Sequence, residues 1–219
     1  VPMCSEDFVY AMRMRCTSFP DHIKTCTCGF DFRKAHNIDK YGHLLTCGDN
    51  TYTYLGRHQE IATELLQCLQ SHGFNCCHEP RHFSAEDGRR PDIAVYLPTL
   101  SPVIDITVVT NFATTHAHTA DPTSTAYTAK MTKHKEAVES TGAYKFLPIV
   151  LEASGNIHPS FDEFIKLLSP QLPFGSAKSF RRAMCFAASV ALQRGNARII
   201  KHAFARIQAA KTFGTKSCY

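Results

Sequence analysis

Residues 89–109 read RRPDIAVYLPTLSPVIDITVV, and the reading of this stretch decides the fold. Its apolar, β-branched runs predict strands at 91–97 and 102–109, joined by the turn-forming LPTLSP as a hairpin. Asp92 stands at the mouth of the first strand and Asp105 within the second, although a carboxylate in a sheet costs stability unless something binds it. A hairpin brings the two carboxylates within the span of one hydrated divalent cation. Mg²⁺ (or Mn²⁺) suits such a pair: it takes oxygen ligands, keeps several waters, activates one of them and neutralises charge on a transferring phosphoryl group. The competing reading is a pair of strand-end aspartates bonded to Arg89 or Arg90.

Working outward, GRHQEIATELLQCLQSHG at 56–73 predicts a helix that buries Ile61, Leu65, Leu66 and Leu69, with Gly73 as its C-cap. A strand at 74–83 leads to the hairpin. A helix follows near 125–141, then a strand at 145–152 and a short helix at 160–168, with Ser160 as cap and Glu163 three residues on. The polar segment 111–124 reads as a mobile loop. This α-β-β-β-α-β-α order predicts an α/β fold with a mixed sheet flanked by helices. Beyond Pro170 and Pro173, two helices are expected at about 176–193 and 196–211, the second with an apolar stripe of Ile200, Phe204 and Ile207. Three regions result: a metal-pinned module at 1–53, the core at 54–169 and a basic helical extension at 170–219.

At 219 residues, 44% hydrophobic and 20% charged, the chain lies in the ordinary globular range. It has no long apolar run, so neither a membrane-spanning helix nor a signal peptide is expected. Its start at Val1 suggests a fragment of something longer. The net charge of +5 is unevenly spread: no Asp or Glu follows Glu163, whereas ten Lys and Arg do, leaving residues 1–163 at −5. A basic end on an acidic body points to a polyanion, most often nucleic acid. On the last helix, Arg198, His202 and Arg206 recur every four residues on a face that could meet phosphate.

Ten cysteines mixed with twelve histidines read as a reduced, partly metal-bound set. Cys26, Cys28, His43 and Cys47 form a zinc-type donor set, with His36 as an alternative to His43. Chelation of that zinc is expected to loosen residues 20–50 and to spare the core. The second cluster, CCHEPRH at 76–82, reads as strand packing, with Glu79 close enough to join an acidic pocket.

The motif RRPDIAVY, followed by DITVV with twelve residues between Asp92 and Asp105, resembles the restriction-like endonuclease of site-specific non-long-terminal-repeat retrotransposons, a branch of the PD-(D/E)XK superfamily. Three further segments agree: the Cys-Cys-His-Cys knuckle followed by Arg57-His58 at the head of a helix, FLPIVLEASGNIHP after a Lys-rich helix, and SVALQRGNARII near the end. The resemblance spans about residues 24–205. It implies a restriction-endonuclease-like core and a Mg-dependent endonuclease that nicks double-stranded target DNA. The exposed 3′-hydroxyl then primes reverse transcription of the element's RNA by another part of the same polyprotein, in the nucleus and without a membrane. Asp92 and Asp105 hold the metal.

The superfamily lysine two residues after the second carboxylate is Thr107 here. In this retrotransposon group the lysine resembles one moved to the next helix, which offers Lys133, Lys130 and Lys135, with Lys133 the better match. Glu60 is a further candidate for the metal site. Arg57, His58, Arg90, Arg181, Arg182, Arg198, Lys201 and Arg206 are candidate nucleic-acid contacts. The rival readings are a non-catalytic nucleic-acid-binding module and a Holliday-junction-type resolvase.

Overall fold

The computed structural model describes residues 2–83, 90–110 and 121–214. Arg89 and residues 111–120 of the loop expected at 111–124 lie outside the described residues. The elements are α1 (Ser5–Arg15), α2 (Asn37–Leu44), α3 (Thr51–Ser71), β1 (Cys76–His78), β2 (Ile93–Val95), β3 (Ser101–Val109), α4 (Pro122–Glu139), β4 (Tyr144–Glu152), α5 (Ser160–Leu168) and α6 (Ala177–Gly214).

The four strands form one mixed sheet in the order β1-β2-β3-β4, antiparallel except for the β3/β4 pair. A parallel pair needs a crossover, and α4 supplies it. Alternation along the strands sends Ile93, Val95, Ile104, Ile106, Leu147, Ile149 and Leu151 to one face, into a core shared with α3, α5 and the first half of α6. Ala94, Val103 and Phe146 face the other way, against Val138 of α4. The open edge of β4 is blocked against further pairing. Glu139 accepts from the Phe146 N–H at 3.0 Å, Pro148 has no N–H, and the 156–158 segment bonds to Val150 and Glu152.

Several boundaries differ from expectation for local reasons. The first strand stops at His78, because Glu79 takes φ +46° and Pro80 follows. Asp92 lies one residue outside the shortened β2. Helix α4 begins inside the expected loop, since Asp121 caps it through the Ser124 N–H at 3.0 Å and Pro122 takes the first position. Ser160 does not cap α5: its hydroxyl is buried and donates to the Pro148 carbonyl at 2.6 Å. Helices α1 and α2 lie in a region whose sequence shows little apolar periodicity.

The largest correction concerns the end of the chain, where the two expected helices are one, α6. Gly195 is a notch in its surface, where Arg57 of α3 lies against the backbone. Arg57 donates to Asn196 at 2.8 Å, and Asn196 in turn donates to the Ala153 carbonyl. Beyond the notch, Ile199, Ile200, Ala203, Phe204 and Ile207 pack with Phe19, Ile23, Phe32, Tyr41 and Leu44 in a second core. The last helix thus spans both cores. No helix among the described residues is long and apolar enough to cross a membrane.

Candidate functional site

Near the N-terminus, Gly29 at φ +93° lets the chain turn sharply, and the Cys26 N–H donates to the Phe30 carbonyl across that turn. The turn presents Cys26 and Cys28 to His43, at the end of α2, and to Cys47 just beyond it. The four ligand atoms lie within 4.8 Å of one another. Cys26 Sγ is 3.8 Å from Cys47 Sγ, and Cys28 Sγ is 3.4 Å from His43 Nε2. Tetrahedral zinc, with Zn–S about 2.3 Å and Zn–N about 2.0 Å, sets its ligand atoms about 3.5–3.8 Å apart. The cluster could therefore hold a metal ion such as zinc. Phe30 stacks on the His43 ring at 4.0 Å and fixes its plane. His36 instead precedes α2 as its N-cap residue, outside the cluster. Although burial opposes ionisation, hydrogen bonding with His43 and Cys28 brings the Cys26 thiol down to about 6, toward the thiolate that a metal needs.

At the sheet, Ile93 pairs with Ile104, and the next step outward sets Asp92 beside Asp105. Both residues are 7% exposed. Here β2 ends while β3 runs on, leaving the Ile106 backbone without a strand partner on that side. The Asp92 carboxylate accepts from the Ile106 N–H at 2.5 Å. His58 of α3 places Nε2 3.2 Å from the same Asp92 oxygen and 3.1 Å from the Ile106 carbonyl. Both neighbours are acceptors, so Nε2 carries a proton. The hydrogen bond to Asp92 raises the His58 pKa, against the opposing effect of burial.

On the other side, Lys130 of α4 sets Nζ 2.6 Å from Asp105. Burial raises the Asp105 pKa, and the nearby Lys130 only partly offsets this. The site is thus two buried carboxylates, one braced by a backbone amide and a histidine, the other by a lysine. A divalent cation would relieve the penalty on charged Asp105.

Lys133 and Lys135 are exposed on α4, and among the lysines of that helix it is Lys130 that meets the carboxylates. Glu60 is turned to α6, where Arg194 and Arg198 take its carboxylate, and Arg194 also holds Glu64 at 2.7 Å. Glu79 is exposed, and its N–H donates to the Asp92 carbonyl at 2.8 Å.

The expected nucleic-acid contacts scatter. Arg57 is only 7% exposed, locked into the α6 notch, and burial lowers its pKa to about 10. His58 belongs to the carboxylate site. Arg181 pairs with Asp162, Arg198 with Glu60 and Asp7, Lys201 with Glu6, and Arg206 with Asp49. Arg90 and Arg182 are exposed. His58 acting on Asp92 was missed in the sequence; the only hint was its place beside Arg57 at the head of an amphipathic helix. Compared with known proteins, the chain matches no family model and no curated protein.

Proposed function

We propose that the protein is a metal-dependent DNA endonuclease of the PD-(D/E)XK type, nicking its target by hydrolysis of a phosphodiester. The observation that carries this reading is the meeting of Asp92, Asp105 and Lys130 at the end of the β2–β3 hairpin. The motif order agrees with the retrotransposon endonucleases that the sequence resembles, as does the Cys-Cys-His-Cys cluster upstream. In this role the protein would act on double-stranded target DNA, with the element's RNA and reverse transcriptase as partners in the nucleus.

A Mg²⁺ or Mn²⁺ ion at Asp92 and Asp105 would supply an activated water and charge neutralisation. Asp92 and Asp105 would hold the ion. Lys130 is the cation at hand to stabilise negative charge on the attacked phosphate, replacing the strand lysine lost at Thr107. Water adds to phosphorus, the bond to the 3′ oxygen breaks, and that oxygen leaves as a 3′-hydroxyl after taking a proton, with the phosphate left on the 5′ side.

A second reading is favoured by the closed network itself. Asp92 already caps Ile106 and binds His58, and Asp105 already pairs with Lys130, so the pair could serve as a structural pin in a non-catalytic binding module. Supercoiled, linear and branched DNA incubated with Mg²⁺ or Mn²⁺ separates the readings. The nuclease reading expects nicked circles, and at least 10³-fold slower nicking by Asp92→Ala and Asp105→Ala with DNA affinity nearly kept, since backbone contacts elsewhere dominate affinity. No nicking by the wild type, or full nicking by either variant, removes it. Preferential cutting of branched DNA selects a junction resolvase.

A further inference from the structure

The cations of α6 fall into two groups. From Arg194 onward the described ones are taken up by the fold: Arg194 by Glu60 and Glu64, Arg198 by Glu60 and Asp7, Lys201 by Glu6, Arg206 by Asp49, and Lys211 by the His22 carbonyl. Near the start of the helix, Arg181 pairs with Asp162 at 2.7 Å. Lys178 and Arg182 are exposed, and among the described residues neither has an acidic partner. The same short stretch carries two large apolar side chains that the fold leaves uncovered: Phe174, fully exposed on the turn before α6, and Phe186, 71% exposed.

Phe174, Lys178, Arg182 and Phe186 recur at every fourth residue. Lys178, Arg182 and Phe186 therefore rise along one side of the helix in steps of about 6 Å, close to the spacing of phosphates in an extended strand. An aromatic ring at each end, with two cations between them that have no acidic partner among the described residues, matches what a single strand offers: bases with free faces and a row of phosphates. Duplex DNA conceals those faces in its own stack, so it would engage only the cations. Two isolated rings, one on the turn before α6 and one on the helix, whose apolar stripe is already buried, give a membrane little to hold.

We propose that this ridge binds single-stranded DNA, with bases stacked on Phe174 and Phe186 and phosphates paired to Lys178 and Arg182. The choice of DNA rests on the nuclease reading, since nicking frees strand ends. Between Phe174 and Phe186 there is no Asp, Glu, Asn or Gln, and the Ser176 and Ser179 hydroxyls donate to backbone carbonyls, so the ridge carries no dedicated reader that would select RNA by its 2′-hydroxyl. The ridge is separate from the carboxylate site: Phe180 packs on His72 and Phe74 at one end of α3, about 20 Å along that helix from His58. A strand must span several nucleotides to touch both.

The test is fluorescence anisotropy of the full chain with labelled dT20, without Mg²⁺ so that nothing is cleaved. Phe174→Ala with Phe186→Ala is expected to weaken dT20 binding about 10-fold or more while moving 20-base-pair duplex affinity less than twofold, and the Tyr versions should retain binding. Lys178→Gln with Arg182→Gln should flatten the slope of log affinity against log salt by about 1.4 on the single strand. Both Phe side chains are exposed, so the variants should melt with the wild type. The inference falls if the Ala pair binds dT20 normally, if it loses duplex affinity equally, or if the ridge prefers rU20. It also falls if the same Phe pair governs binding to phosphatidylserine vesicles in place of dT20. A wild type that binds dT20 through the ridge yet nicks no plasmid removes the nuclease reading alone.

Discussion

Lys130 and Lys133 lie three residues apart on α4, yet only Lys130 reaches Asp105, because its side chain is half-buried over the sheet while Lys133 is exposed. If Lys130 stabilises the attacked phosphate, Lys130→Ala should slow nicking by about 10²-fold or more, the range for one lost electrostatic donor, and Lys133→Ala should be milder. Plasmid nicking at saturating Mg²⁺ checks the order, and wild-type rates in both variants would leave the metal ion working alone. Asp105 gives a second prediction, on stability. Its pKa is raised in the fold, so the folded protein holds this proton more tightly than the unfolded chain. The carboxyl's stabilising contribution is complete below the unfolded value near 3.9 and is lost as pH rises through the raised folded value. Asp105→Asn should therefore raise the melting temperature at pH 7 without added Mg²⁺, an advantage that shrinks as pH approaches 4. A lower melting temperature at pH 7 would mean that the Lys130 pair outweighs burial.

At the scale of elements, α6 shows how a glycine can be a contact and not a break. A Cβ on Gly195 would lie 2.8 Å from the Arg57 Cβ and closer still to its Cγ, closer than real atoms approach. Although alanine is the better helix former, Gly195→Ala should destabilise the protein by about 1–3 kcal/mol, as overpacking does. Urea titration followed by circular dichroism measures this, and a stabilised variant would show that α3 and α6 can separate freely. The hairpin has a similar logic. Because β2 is three residues long and β3 nine, the longer strand projects beyond its partner, and the Ile106 backbone, without a strand neighbour on the β2 side, is where Asp92 and His58 converge.

For the whole molecule, α6 joins the Cys-Cys-His-Cys cluster to the sheet. Its first half belongs to the main core, and its second half packs on Phe19, Phe32, Tyr41 and Leu44 around the cysteines. The basic end is thus an integral strut, not an appendage. If the cluster holds zinc, its removal should then loosen more than residues 20–50. Hydrogen exchange on chelator-treated protein is expected to show residues 19–50 and 197–211 losing protection together while 180–192 keep theirs. Retained protection at 197–211 would show that the second core stands without metal. Metal analysis of purified Cys28→Ser should show zinc content well below the wild type's.

By itself the sequence determined the alternation of helix and strand, the hairpin with its two aspartates, and the Cys-Cys-His-Cys donor set. These are readable because periodicity, turn residues and ligand types are local properties. The short strands and the single α6 were not readable, since Glu79 at positive φ and the notch at Gly195 depend on what lies across the fold. The same holds for function. Charge along α6 looked like a phosphate-binding face, but Arg198, Lys201 and Arg206 find acidic partners far away in the chain, on α1, on α3 and just before it. Only tertiary structure decided which lysine meets Asp105 and that His58 holds Asp92, because an ion pair is set by distance in space, which separation along the chain does not encode.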